Sequence, residues 1–220
     1  MIVFDVDGTL IGGESNDWAS FEAAFLTVAG FALDKAFFAR IEEITAQAIV
    51  HQALAELPLA ERKTKESAVR HAYVQNLQVA RDNDAAAFPA ADGARSLLQE
   101  LRAQGIPVAI ATGDWRESIL IKLQAAGIEI EGIPLVTSSD FYSRADIIAA
   151  AVTQAGHTLD EAIYVGDGPW DLRACRKLGI PFIGVGRRRD RLQAAGAIHL
   201  LTDFSPSEFL RTRAVAMSPG

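Results

Sequence analysis

The chain has 220 residues, of which 50% are hydrophobic and 22% charged, with a formal net charge of -7. At this size roughly 70% of the unfolded surface can be buried, so a core forms without staples, and the high apolar content with modest net charge excludes disorder. Acidic residues outnumber basic ones by 28 to 21, which argues against nucleic acid as a partner; the one cysteine, Cys175, excludes an internal disulfide framework or a multi-cysteine zinc site.

The N-terminal Met1-Ile2-Val3-Phe4 has neither the basic region nor the long apolar stretch of a secretory signal. Apolar runs stay far below the roughly 18 residues that cross a bilayer, so a cytoplasmic protein without membrane contact is expected. Ile2 to Phe4 reads as a buried parallel strand that ends at a turn containing Asp7-Gly8. Residues 14–88 then show no convincing strand. They carry three helical patterns, Trp18-Phe21-Phe25-Val28, Phe37-Ile41-Ile44-Ala48 and Val69-Ala72-Tyr73-Leu77, with Trp18 expected in the core beside Phe21 and Phe25. Gly12-Gly13 precedes this stretch and a segment with Pro89 and Gly93 follows it, two short connections of the kind a moving lid needs.

Strand-like runs recur at Pro107–Ala111, Pro134–Val136, Ala162–Val165 and Pro181–Val185, separated by helical spacing over Gly93–Gln104, Arg116–Ala126, Ala145–Ala155 and Asp171–Leu178. Gly105, Gly127, Gly156 and Gly179 stand where helix C-caps belong. This alternation predicts an α/β fold, a doubly wound parallel sheet of five or six strands, with an inserted helical domain. Residues 1–13 and 89–220 form the expected core and residues 14–88 the insertion.

In such a sheet, ligands bind outside the carboxyl ends of the strands. There the sequence places Asp5 and Asp7, then Thr112 and Asp114, then Arg144, then Asp167 and Asp171. Carboxylates converging from three segments repel one another, and a bound cation is the natural remedy. An all-oxygen set favours magnesium over zinc or copper. Together with Arg144, Thr112 and turn N–H groups, such a cation neutralises and orients a phosphate, which suits a small phosphorylated metabolite as substrate.

These residues resemble a known family. Asp5-Val6-Asp7-Gly8-Thr9, Thr112 after an apolar strand, Arg144, and Gly166-Asp167-Gly168-Pro169-Trp170-Asp171 look like the four signature motifs of the haloacid dehalogenase superfamily, in order, with the insertion placed as in its helically capped subgroup. The resemblance covers nearly the whole chain and implies a Rossmann-like core. It also implies that Asp5 is the nucleophile forming an aspartyl-phosphate, and that Asp7 is the acid/base group. Mg²⁺ would be held by the Asp5 carboxylate, the Asp7 carbonyl, Asp167 and Asp171, the last directly or through water. Thr112 and Gly113 would bind the phosphoryl group, with Arg144 spreading positive charge over the transition state. Two departures are an arginine where the third motif usually has lysine, and Gly168-Pro169-Trp170 in place of a small polar residue.

Asp7 bears on the subclass, because the dehalogenases and the phosphonate-cleaving branch lack this second aspartate. A phosphatase is therefore expected ahead of a phosphomutase of the β-phosphoglucomutase type, whose usual Arg/Lys-Gly-type cap loop is not found between Glu14 and Phe88. A non-catalytic phosphate-binding module is a third reading. Among the remaining residues, Trp115 and Trp170 are expected in the core between sheet and helices, and Asp114 as the cap of a helix starting at Trp115. Arg187-Arg188-Arg189-Asp190-Arg191 and Arg62-Lys63 are expected to be solvated, and His51, His71, His157 and His199 to be ordinary surface or packing residues.

Overall fold

Short apolar strands alternating with helices build a layered α/β structure, seen in a computed structural model that describes residues 1–187 and 189–218. In chain order the elements are β1 (Ile2–Phe4), α1 (Glu14–Ala29), α2 (Lys35–Arg40), α3 (Ala46–Ala53), α4 (Leu59–Asn83), α5 (Ala94–Ala103), β2 (Val108–Ala111) and α6 (Arg116–Ala125). They continue with β3 (Leu135–Val136), α7 (Arg144–Gln154), β4 (Ile163–Gly166), α8 (Pro169–Leu178), β5 (Phe182–Gly184), α9 (Arg189–Ala194), β6 (His199–Leu200) and α10 (Pro206–Ala216).

The six strands are all parallel, in the order β3-β2-β1-β4-β5-β6. Apart from the half-buried edge strand β6, the strands are buried on both faces, so successive side chains feed two different cores. Ile2, Phe4, Ile163 and Val165 pack with α5, α6 and α10 on one face, whereas Val3, Ala109 and Tyr164 pack with α7 and α8 on the other. Cys175 lies in this second core at 1% exposure. After β3 the chain crosses back over β2 and β1 to reach β4, so the winding reverses beside β1. That reversal opens a crevice at the carboxyl ends of β1, β2 and β4.

Residues 14–83 hold four helices, because the second predicted pattern is divided into α2 and α3. Ile41 leaves the helical region at ψ 138°, and Thr45 starts α3 afresh by accepting from the Ala48 amide. The apolar spacing runs on through the break because Ile41 and Ile44 still face inward, so periodicity hides it. Asp34 caps α2 in the same manner, accepting from Phe37 N. Phe21, Phe25, Tyr73 and Leu77 join α1 and α4 in the core. Trp18 departs from expectation: it is 39% exposed, stacked on Phe21. The two connections pair as a small ribbon, with Gly12 N donating to the Pro89 carbonyl and Ala91 N to the Leu10 carbonyl.

Candidate active site

Asp5 follows β1 directly, its amide still donating to the Val165 carbonyl of β4, so its side chain is aimed by the sheet. The chain then turns at Gly8, whose φ is +77° and whose missing Cβ would sit 2.3 Å from Asp167 Oδ2. A side chain there is excluded twice over, by conformation and by space. Asp5, Asp167 and Asp171 are all buried, and one carboxylate oxygen from each lies within 4.8 Å of the others. Arg144, at the first position of α7, spans two of them, with Nη1 3.2 Å from Asp5 and 2.9 Å from Asp171. Burial, reinforced by Asp171 and opposed by Arg144, pushes the Asp5 carboxyl up to about 7. Three carboxylates converge at this buried point, and an all-oxygen donor set of this kind fits a hard divalent cation.

Asp171 is held from behind. Its Oδ2 accepts from Gly168 N at 3.0 Å and its Oδ1 from the Tyr164 hydroxyl at 3.4 Å, in addition to Arg144. Asp5, Asp7, Asp167, Thr112, Gly113 and Arg144 line one cavity of about 1150 Å³, and Asp171 sits beneath its floor. Gly113 makes room for Arg144, since a Cβ there would approach Nη2 to 2.2 Å, and its carbonyl accepts from Ala46 N at the start of α3. The α2–α3 loop also reaches Arg144, with Glu43 accepting from its amide and the Ile44 carbonyl from Nη2. Trp18, Phe38, Ile41 and Ile44 line the cavity from the helical segment, and Arg173, Lys177 and Arg191 from the other side.

Asp7 lines the same cavity but belongs to a different carboxylate group. Its carboxylate joins a second group with Asp17 and Asp114 around Lys122, whose Nζ lies 2.7 Å from each of the three. The Asp7 carboxylate thus stands in a different group from those of Asp5, Asp167 and Asp171. Burial, with Asp17 and Asp114 adding and Lys122 opposing, pushes the Asp7 carboxyl well up. For Lys122 burial favours the neutral amine, but the three carboxylates outweigh it and hold the ammonium charged. The Tyr73 hydroxyl completes the group, 2.9 Å from Asp114.

Sequence reasoning missed Lys122, Asp17 and Tyr73. One signal was available: Lys122 falls between Ile119 and Leu123 on the inward face of α6, where a lone charge needs a buried partner. Asp114 does not cap α6. Trp115 occupies the cap position, and Asp114 accepts from the Trp115 amide while pairing with Lys122. Trp115 is a core residue at 1% exposure, whereas Trp170 is half-buried and lines the cavity. In the basic run Arg187 is exposed, Arg188 lies outside the described residues, and Arg191 borders the cavity. His51 pairs with Glu66 on α4 at 2.9 Å.

The profile of the haloacid dehalogenase-like hydrolases matches residues 2–185. The chain belongs to that family. Comparison with curated protein sequences finds no match. Solved structures share the fold along almost the entire chain. A hydrolase from Pseudomonas syringae is 24% identical with a TM-score of 0.75, covering 99% of each chain. CbbY from Rhodobacter sphaeroides in complex with xylulose bisphosphate is 19% identical with a TM-score of 0.72, covering 93% of this chain and 94% of its own. A β-phosphoglucomutase from Clostridium difficile is 13% identical with a TM-score of 0.75, covering 99% of this chain and 98% of its own. At these identities the likeness establishes the fold of this family member. No helix among its described residues is long and apolar enough to cross a membrane.

Proposed function

We propose that this family member is a magnesium-dependent phosphatase of small phosphate monoesters, with residues 14–88 capping a core of residues 1–13 and 89–220. The observation that carries this reading is the placement of Asp5 at the floor of the cavity, 3.2 Å from Arg144 and beside Thr112 and Asp167. Asp5 Oδ attacks phosphorus, and the bond from phosphorus to the ester oxygen breaks. Asp7 gives its proton to that oxygen and the alcohol leaves. Water then attacks phosphorus, Asp7 takes the water's proton, and the Asp5–phosphorus bond breaks to release inorganic phosphate. Thr112 and the Gly113 main chain hold phosphoryl oxygens, and Arg144 carries positive charge toward them. A magnesium ion held by Asp5, Asp167 and the Asp7 carbonyl, with Asp171 behind, supplies further charge neutralisation when bound.

The cavity lining supports a phosphatase over a mutase. From Glu14 to Tyr73 the described lining residues are apolar, acidic or threonine, with no lysine, arginine or histidine to hold a second phosphate from the cap side. The ligand of CbbY and the name of the phosphoglucomutase support phosphorylated small molecules as the substrate class. Phosphoglycolate, sugar phosphates and nucleotides form the panel to screen. Purified protein with Mg²⁺ is expected to release phosphate from p-nitrophenyl phosphate and from members of that panel. Asp5→Asn is expected to stay folded and to lose turnover by at least about 1000-fold. Retained turnover in that variant, or a folded wild type that cleaves no monoester, rejects the reading.

A further inference from the structure

We propose that Lys122 is the positioning residue of Asp7, and that through it helices α1 and α4 hold the proton-transferring carboxylate in place. This rests on the role given to Asp7 in the phosphatase reading. The Lys122 side chain is fully buried, and its three N–H donors are matched by three carboxylates, Asp7, Asp17 and Asp114, each at 2.7 Å. These acceptors come from three places: the turn after β1, α1, and the loop between β2 and α6. Tyr73 of α4 adds a hydroxyl 3.4 Å from Nζ.

Packing alone does not call for such a residue. A buried ammonium costs several kcal/mol to desolvate and is tolerated only when fully paired, whereas leucine or methionine fills the same inward position on α6 at no such cost. Lys122 does not line the cavity, so it does not touch a substrate there, while Asp7 does line it and keeps 25% of its side chain exposed. The ammonium therefore acts through Asp7, fixing the Oδ1 oxygen and leaving the rest of the carboxylate facing the cavity. Asp17 and Tyr73 make this arrangement depend on docked helices, since undocking α1 and α4 withdraws two of the groups that centre the ammonium.

Lys122→Met alone leaves the buried Asp114 and the part-buried Asp7 and Asp17 without their shared cation, so the decisive variant is Lys122→Met combined with Asp17→Asn and Asp114→Asn. It removes one positive and two negative charges and keeps Asp7. The readout is kcat/KM for two esters, because that ratio reports departure of the leaving group. An alkyl monoester needs its leaving oxygen protonated, whereas p-nitrophenolate leaves without a proton. For the alkyl ester, kcat/KM is expected to fall by about 100-fold or more; for p-nitrophenyl phosphate it is expected to fall by less than about 10-fold. Equal losses for the two esters assign Lys122 a merely structural role and overturn the proposal, as does no loss for either. A wild type that cleaves neither ester removes the phosphatase reading and this proposal with it, whereas an active wild type with equal losses removes this proposal alone.

Discussion

Arg144 is tied to several neighbours at the floor of the cavity. It bridges Asp5 and Asp171, donates to the Ile44 carbonyl through Nη2, and occupies the space that a Gly113 side chain would need. Gly113→Ala would bring a methyl carbon to 2.2 Å from Nη2 and 3.1 Å from the Ile44 carbonyl. The guanidinium is the softer neighbour, so it moves, and its contact with Asp5 lengthens. A shift near 1 Å in such a group lowers rate by about 100-fold. Gly113→Ala is therefore expected to lose about two decades in kcat with a small change in melting temperature, as read by steady-state kinetics and thermal denaturation. Near-native kcat would mean that Arg144 tolerates displacement. The residue that sequence reading did not single out, Lys122, shows why single positions are harder to read than motifs. Its partners Asp17 and Asp114 stand 105 and 8 residues away, and no local spacing announces a charge network closed by the tertiary fold.

The elements that position the site differ in how far the sequence betrays them. Each central strand is a continuous apolar run bounded by a turn, as burial on both faces demands; β1, β2 and β5 lie inside the predicted runs, and β4 passes the end of its run by Gly166. The edge strand β6, only His199 and Leu200 and half-buried, has no such run and was not resolved from the sequence. The break between α2 and α3 was hidden because Ile41 and Ile44 preserve the helical period. The paired connections carry their own prediction. Gly13 has φ +92°, and a Cβ there would lie 2.2 Å from the Ala87 carbonyl, whereas a Cβ on the adjacent Gly12 would meet Pro89 Cγ at an ordinary 3.5 Å. The left-handed backbone alone costs a non-glycine residue about 1–2 kcal/mol, and the clash adds to it. Gly13→Ala is expected to lower the melting temperature by at least roughly 4 °C, with Gly12→Ala close to wild type. Equal melting temperatures would show that the ribbon relaxes to accept either side chain.

Across the whole molecule, the net charge of -7 is unevenly distributed, because six carboxylates gather in two clusters of three, one around Lys122 and one beside Arg144. Around Lys122 the three partners sit at hydrogen-bond distance from one ammonium, so that group is closed by the protein's own residues. In the group of Asp5, Asp167 and Asp171, Arg144 pairs with Asp5 and Asp171, and the group opens onto the cavity through Asp5 and Asp167. A cation that binds such a point only in the folded state raises stability by mass action. At a magnesium concentration about 100 times Kd the gain is about 2.7 kcal/mol, which for a chain of this length raises the melting temperature by roughly 5–10 °C. Asp167→Asn removes a ligand and is expected to abolish most of the metal-dependent rise. Thermal denaturation of both proteins across a magnesium titration with a chelator control reads the effect. A variant whose melting temperature still climbs with magnesium as the wild type does would place the cation away from Asp167.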